Sequence, residues 1–92
     1  MKTPTIGFIG GGRITRILLQ AFGNKKINLV QATVYDLNPE VTEKLLKRFP
    51  DIHIGTLEQA ASQEIVILAL HPPQIMDTLD KIAPIISSKT VF

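Results

Sequence analysis

Three consecutive glycines, Gly10, Gly11 and Gly12, stand where a short apolar run, Thr5 to Ile9, gives way to an amphipathic stretch that begins near Arg13. Read as G-x-G-x-x-(G/A), the pattern takes Gly10, Gly12 and Thr15. Each position has a physical task. The first glycine permits a tight turn out of a strand, the second lets a pyrophosphate approach the main chain without meeting a Cβ, and the third packs a helix closely on the strand. The amides and the positive dipole end of the following helix then hold the anion. Thr15 is larger than the glycine or alanine usual at the third position, so an imperfect fit is expected there. The competing reading is a glycine-rich turn that binds nothing. A strand before it, a helix after it and a second strand ending in an acid favour the anion site.

That acid is Asp36, 26 positions after Gly10. At the end of the second strand a carboxylate would accept hydrogen bonds from the hydroxyls of an adenosine ribose and would repel a 2′-phosphate, which leans the cofactor towards NAD rather than NADP. Its alternative role is a turn residue that helps begin the next helix. Arg13, at the mouth of the glycine turn, could neutralise a pyrophosphate or a 2′-phosphate, or be a solvated first-turn arginine. His71 follows the fourth strand at its carboxyl end, the edge where ligands bind in such sheets. With no carboxylate visibly placed to orient it, contact with the cofactor or a structural role is favoured over acid–base catalysis. His53 reads as a surface or edge residue.

The elements that must position these groups alternate between short apolar strands and amphipathic helices. After the strand at 5–9, Ile14, Ile17, Leu18, Ala21 and Phe22 recur at three- and four-residue steps and predict the buried stripe of a helix that stops at Gly23-Asn24. Gln31 to Asp36 is the second strand. Asn38-Pro39-Glu40 reads as cap, first-turn proline and first-turn acid of a helix burying Val41, Leu45 and Phe49, which Pro50 ends. Ile52 to Ile54 is a short third strand, and Thr56 caps a short helix reaching about Ser62. Ile65 to Leu70 is apolar throughout, as expected of a central strand covered on both faces. Pro72-Pro73 opens a helix carrying Ile75, Met76, Leu79 and Ile82, with Pro84 as its expected end, and Thr90-Val91-Phe92 begins a fifth strand. The expectation is an α/β fold of Rossmann type, a doubly wound and mainly parallel sheet of about five strands with helices on both faces, incomplete at its carboxyl end.

Composition narrows the chemistry. The chain has 92 residues, which sets one domain as the ceiling, and a 45% apolar and 20% charged content is that of a folded chain rather than a disordered one. Without a cysteine there is no disulfide, no thiolate metal site and no cysteine nucleophile. The two histidines lie 18 positions apart with no carboxylate at metal-ligand spacing, so no metal site is expected. A net charge of +2 with scattered cations and no interleaved aromatics argues against nucleic acid. The apolar run from Ile65 to Leu70 is far short of the roughly 20 residues that span a membrane, and no signal-peptide order opens the chain. A cytoplasmic protein is expected.

With Gly7-Phe8-Ile9-Gly10-Gly11-Gly12, Tyr35-Asp36-Leu37-Asn38-Pro39-Glu40 and Ala69-Leu70-His71-Pro72-Pro73 in place, the chain resembles the amino-terminal domain of the pyrroline-5-carboxylate reductase family over essentially its whole length. The resemblance implies a nicotinamide cofactor, NAD or NADP, and hydride transfer to a cyclic imine in proline biosynthesis. It also implies dinucleotide contacts from Ile9, Gly10, Gly11, Gly12, Arg13 and Ile14, from Asp36, and from Ala69, Leu70, His71 and Pro72. In that family a helical carboxyl-terminal domain supplies most of the substrate pocket and the dimer interface. The expectation is therefore that residues 1–92 are the partial nucleotide-binding domain of a longer homo-oligomeric reductase. Thr15 in place of a small residue, His71 where lysine is usual, and Asp36 against a phosphate-bearing cofactor mark a divergent relative. Two other readings use the same glycines and aspartate. One is the cofactor domain of a β-hydroxyacid dehydrogenase, and the other a non-catalytic dinucleotide-sensing module.

Overall fold

The computed structural model describes residues 4–25, 32–86 and 90–91. Nine elements follow one another there: β1 (Ile6–Ile9), α1 (Arg13–Asn24), β2 (Ala32–Tyr35), α2 (Pro39–Arg48), β3 (His53–Ile54), α3 (Leu57–Ala61), β4 (Ile65–Leu68), α4 (Pro72–Ile86) and β5 (Thr90–Val91). The five strands form one sheet in the order β3-β2-β1-β4-β5, with every pair parallel. Strand-helix alternation produces this because a parallel neighbour can be reached only by a crossover, which here is a helix. The expected strand ends at Gln31 and Phe92 lie outside the described residues.

Strand alternation divides the apolar side chains between two cores. Phe8 faces one with Leu19, Ala32, Val34, Leu45, Phe49 and Ile52, under α1 and α2, and the Phe8 and Phe22 rings lie 6.3 Å apart there. Ile9, one residue on, faces the other with Ala60, Ala61, Val66 and Ile82, under α3 and α4. β1 therefore contributes to both, as a strand covered on both faces must.

The helix boundaries follow local chemistry. Asn38 caps α2, its side-chain oxygen accepting from the Glu40 amide at 3.0 Å, with Pro39 in the first turn. Thr56 and Gln59 form a reciprocal capping box on α3. In two helices the structure departs from the expected pattern. In α1 the buried residues are Thr15 and Leu19, flanked by half-buried Leu18 and Phe22, while Ile14, Ile17 and Ala21 are exposed. The inward face is thus turned by one position, because Thr15 can be buried: its hydroxyl donates to the Gly10 carbonyl. The helix also runs through Gly23, and no glycine but Gly10 has a positive φ among the described residues. In α4 the helix continues past Pro84 to Ile86. Pro84 is exposed in the last turn, where its missing N–H forgoes a single ladder bond.

Candidate functional site

Sheet register assembles the site. Ile9 is level with Tyr35 on β2 and with Leu68 on β4, so the next residue of each chain segment, Gly10, Asp36 and Ala69, emerges at the same carboxyl edge. Two backbone bonds stitch that edge together, Gly10 N–H to the Tyr35 carbonyl at 2.7 Å and Ala69 N–H to the Ile9 carbonyl at 2.9 Å. The chain runs outward from β1 through β2 to β3, then returns to β1's other side for β4. The reversal between β1 and β4 is the topological switch point, where open α/β sheets leave a crevice.

Each glycine in the turn has a different reason to be there. Gly10 has φ +106°, and a Cβ on it would run into the Ala69 carbonyl. Gly11 sits against the ends of the Leu45 and Val41 side chains, 2.9 Å from where its Cβ would lie. Gly12 faces open space, with nothing within 4 Å of a Cβ position, so what it leaves clear is room for something outside the chain. The same residue is the N-cap of α1, which has no side-chain cap and no acid in its first turn. α2 and α3, by contrast, have a side-chain cap and a first-turn glutamate. The amides at the start of α1 are thus the donors left for an incoming anion.

Thr15 does not disturb this arrangement. It is fully buried, and its hydroxyl bonds the Gly10 carbonyl, so the expected misfit at the third position becomes a tie between helix and turn. Asp36 is a second tie. One carboxylate oxygen accepts from the Gly11 amide at 2.8 Å and the other from the Asn38 amide at 2.8 Å. The carboxylate therefore holds the glycine turn and the entry to α2 together, while still lining the main cleft.

That cleft, about 360 Å³, is lined by Ile9, Gly10, Gly12, Asp36, Ala69, Leu70 and His71 from the expected set. Also around it are Tyr35, Leu37 and Leu57, and the polar residues Gln74, Asp77, Thr78 and Lys81. These last four recur at the i, i+3, i+4, i+7 spacing of one helix face. They were detectable as the polar stripe of α4 opposite Ile75, Leu79 and Ile82, a pattern that attention to apolar residues alone passes over. Exposed His71 lies at the start of α4, its carbonyl accepting from the Gln74 and Ile75 amides.

A second cleft of 320 Å³ adjoins the first at Gly12. Gly11, Gly12, Val41 and Leu45 line it together with Arg13 and Arg16 of α1 and Lys44 and Arg48 of α2. Of the expected residues, Ile14 and Pro72 line neither cleft and are exposed on the surface. No group of three or more histidines and carboxylates among the described residues could hold a metal ion. Nor is any described helix long and apolar enough to cross a membrane.

Comparison with known proteins places this geometry. No curated protein sequence matches the chain. Among solved structures, a pyrroline-5-carboxylate reductase from Coxiella burnetii superposes with a TM-score of 0.87 at 22% identity, over 96% of this chain and 33% of the reductase. The chain thus has the Rossmann fold of that reductase and spans a third of its length. The family model described as "NADP oxidoreductase coenzyme F420-dependent" matches residues 5–92. The chain belongs to that family, as an NADP oxidoreductase-type dinucleotide-binding domain.

Proposed function

We propose that the chain holds NAD or NADP across the carboxyl edge of its sheet and is the cofactor-binding part of a reductase that delivers hydride to a small cyclic imine. The observation that carries the dinucleotide site is Gly12: an exposed glycine with empty space above it at the uncapped start of α1. Pyrophosphate would lie over Gly12, taking the first amides of α1, with the Arg13 charge close by. The adenosine ribose would reach Asp36, whose oxygens keep lone pairs beyond the two amides they accept. Exposed Leu37 and half-buried Leu57 offer apolar surface for the adenine. The nicotinamide would then extend towards Ala69, Leu70 and His71 at the start of α4.

The cofactor supplies the hydride; this domain supplies its placement. The imine substrate rests on the motif resemblance and on the activity for which the Coxiella burnetii reductase is named, and the assembly into oligomers on the motif resemblance alone. The domain assignment for residues 1–92 stands on the same footing.

Titration of NADH and NADPH into the chain, followed by nucleotide fluorescence or calorimetry, tests the binding site. Gly12→Val is the sharp variant, because beyond its chain neighbours nothing lies within 4 Å of the Cβ position. The expected result is a chain that still folds, with no more than the modest loss of stability that valine brings at an N-cap, and binding weakened by about 100-fold or more, since a branched side chain displaces the phosphate. Retained binding in the Gly12→Val variant overturns the placement over α1.

A further inference from the structure

The ionisable side chains that line the main cleft are those of Tyr35, Asp36, His71, Asp77 and Lys81. Histidine is the one type among them that ordinarily changes charge between about pH 5 and 8. The main chain of His71 is held in place. Its carbonyl accepts from the Gln74 and Ile75 amides at 2.9 and 3.2 Å, and Pro72 and Pro73 follow it with φ fixed by their rings. The side chain is exposed, and among the described residues no hydrogen bond or ion pair occupies its imidazole. A group fixed at its root and unengaged at its tip is available to whatever enters the cleft.

Position in the sheet gives that group something to read. β2, β1 and β4 are neighbours in that order, so Asp36 and Ala69 leave the sheet two strand spacings apart, about 10 Å, with Gly10 between them. A dinucleotide with its pyrophosphate over Gly12 and its adenosine at Asp36 must send its other half to the β4 side, where His71 stands. The two redox forms of a nicotinamide cofactor differ in charge at that end. The oxidised ring is a pyridinium with a full positive charge, and the reduced ring is a neutral dihydropyridine. Phosphates, riboses and adenine are the same in both. We infer that His71 sets which redox form of the cofactor the chain prefers: its imidazolium repels the oxidised ring and spares the reduced one, while its neutral imidazole admits both.

The other charged groups of the cleft do not supply this discrimination. Asp36 stands at the adenosine end with both oxygens accepting backbone amides. Asp77 and Lys81 are one of each sign, six and ten positions along α4 from His71. α3 contributes apolar Leu57, and the glycine turn contributes no side chain. Carboxylates and ammonium groups ordinarily keep their charges between pH 6 and 8, so a change over that interval isolates the imidazole. Two like charges about 6 Å apart in an open, wet cleft correspond to about a fivefold difference in affinity. In the direction of imine reduction the cofactor arrives with a neutral ring and leaves with a cationic one. A protonated His71 therefore favours release of the spent form. The inference rests on the dinucleotide reading above, and its test separates the two.

Dissociation constants of NADH and NAD+ for the chain are measured at pH 6 and pH 8, with NADPH and NADP+ as a second pair. The ratio within a pair cancels every effect of pH that is common to both redox forms. The imidazolium is present below the histidine titration and lost above it, so the expected preference for the reduced form is about fivefold larger at pH 6 than at pH 8. His71→Gln should give the low ratio at both pH values, and His71→Lys the high ratio at both. Each variant keeps the main-chain bonds that start α4, and circular dichroism checks that it folds. A ratio that does not change between pH 6 and pH 8, or one that still changes in the His71→Gln variant, overturns the role of His71 and leaves the dinucleotide site standing. Binding of none of the four nucleotides overturns both.

Discussion

At residue scale, Thr15 and Asp36 show how far a motif position can depart from its pattern and still serve the turn. A buried threonine at the third position of the glycine fingerprint satisfies its own hydroxyl on the Gly10 carbonyl. Thr15→Ala restores the residue usual at that position, yet it should destabilise the fold. It removes the hydrogen bond and leaves a small void in a fully buried place, for a cost of about 2 kcal/mol. The denaturant midpoint should fall with no change in slope. A midpoint equal to that of the unaltered chain would mean that the Gly10 carbonyl finds another donor. Asp36 is similar in kind. Sequence alone presents it as either a ribose ligand or a turn residue, and its two amide partners show the second role without removing the first. Single-residue chemistry is legible from sequence; which partner it finds depends on neighbours folded in from 25 positions away.

Among the elements, α3 is short but sits closest to the sheet. A Cβ on Gly7 of β1 would run into the Ala60 backbone of α3, so this glycine sets the distance between strand and helix. Gly7→Ala should therefore cost about 1–3 kcal/mol, because main chain rather than a flexible side chain must move. Thermal unfolding measures it, and an unchanged midpoint would show that α3 can slide outward freely. Elements whose ends carry their own chemistry were legible in advance: Asn38-Pro39-Glu40 and Thr56 mark the starts of α2 and α3 within a residue. The apolar run at 65–70 marks the start of β4 but overruns its end, since the strand stops at Leu68 and Ala69 and Leu70 turn into the cleft edge. What sequence leaves open is decided between elements. The facing of α1 turns on a polar residue acceptable in the interior. The course of α4 past Pro84 turns on whether its packing outweighs one lost ladder bond. Both clefts draw on side chains from separate helices, the polar stripe of α4 for one and the cations of α1 and α2 for the other.

Across the whole molecule, the two cores share the central strand β1, with α1 and α2 over one face, α3 and α4 over the other, and β2 and β4 hydrogen-bonded on either side. The sheet brings Gly10, Asp36 and Ala69 to one carboxyl edge, and the similar reductase is about three times as long as this chain. What the central strand does achieve shows on the clock of amide exchange. Phe8 and Ile9 are almost wholly inaccessible, so their amides should exchange with deuterium only when the entire domain opens, last among all measured sites. Gly12, three residues further on, is exposed at a helix start and should exchange among the first, until a bound dinucleotide slows it. Over that short distance the chain passes from its slowest hydrogens to some of its fastest. The proposed landing place of the anion is thus mounted directly on the part of the molecule that should open least, so that its geometry would be set before any ligand arrives.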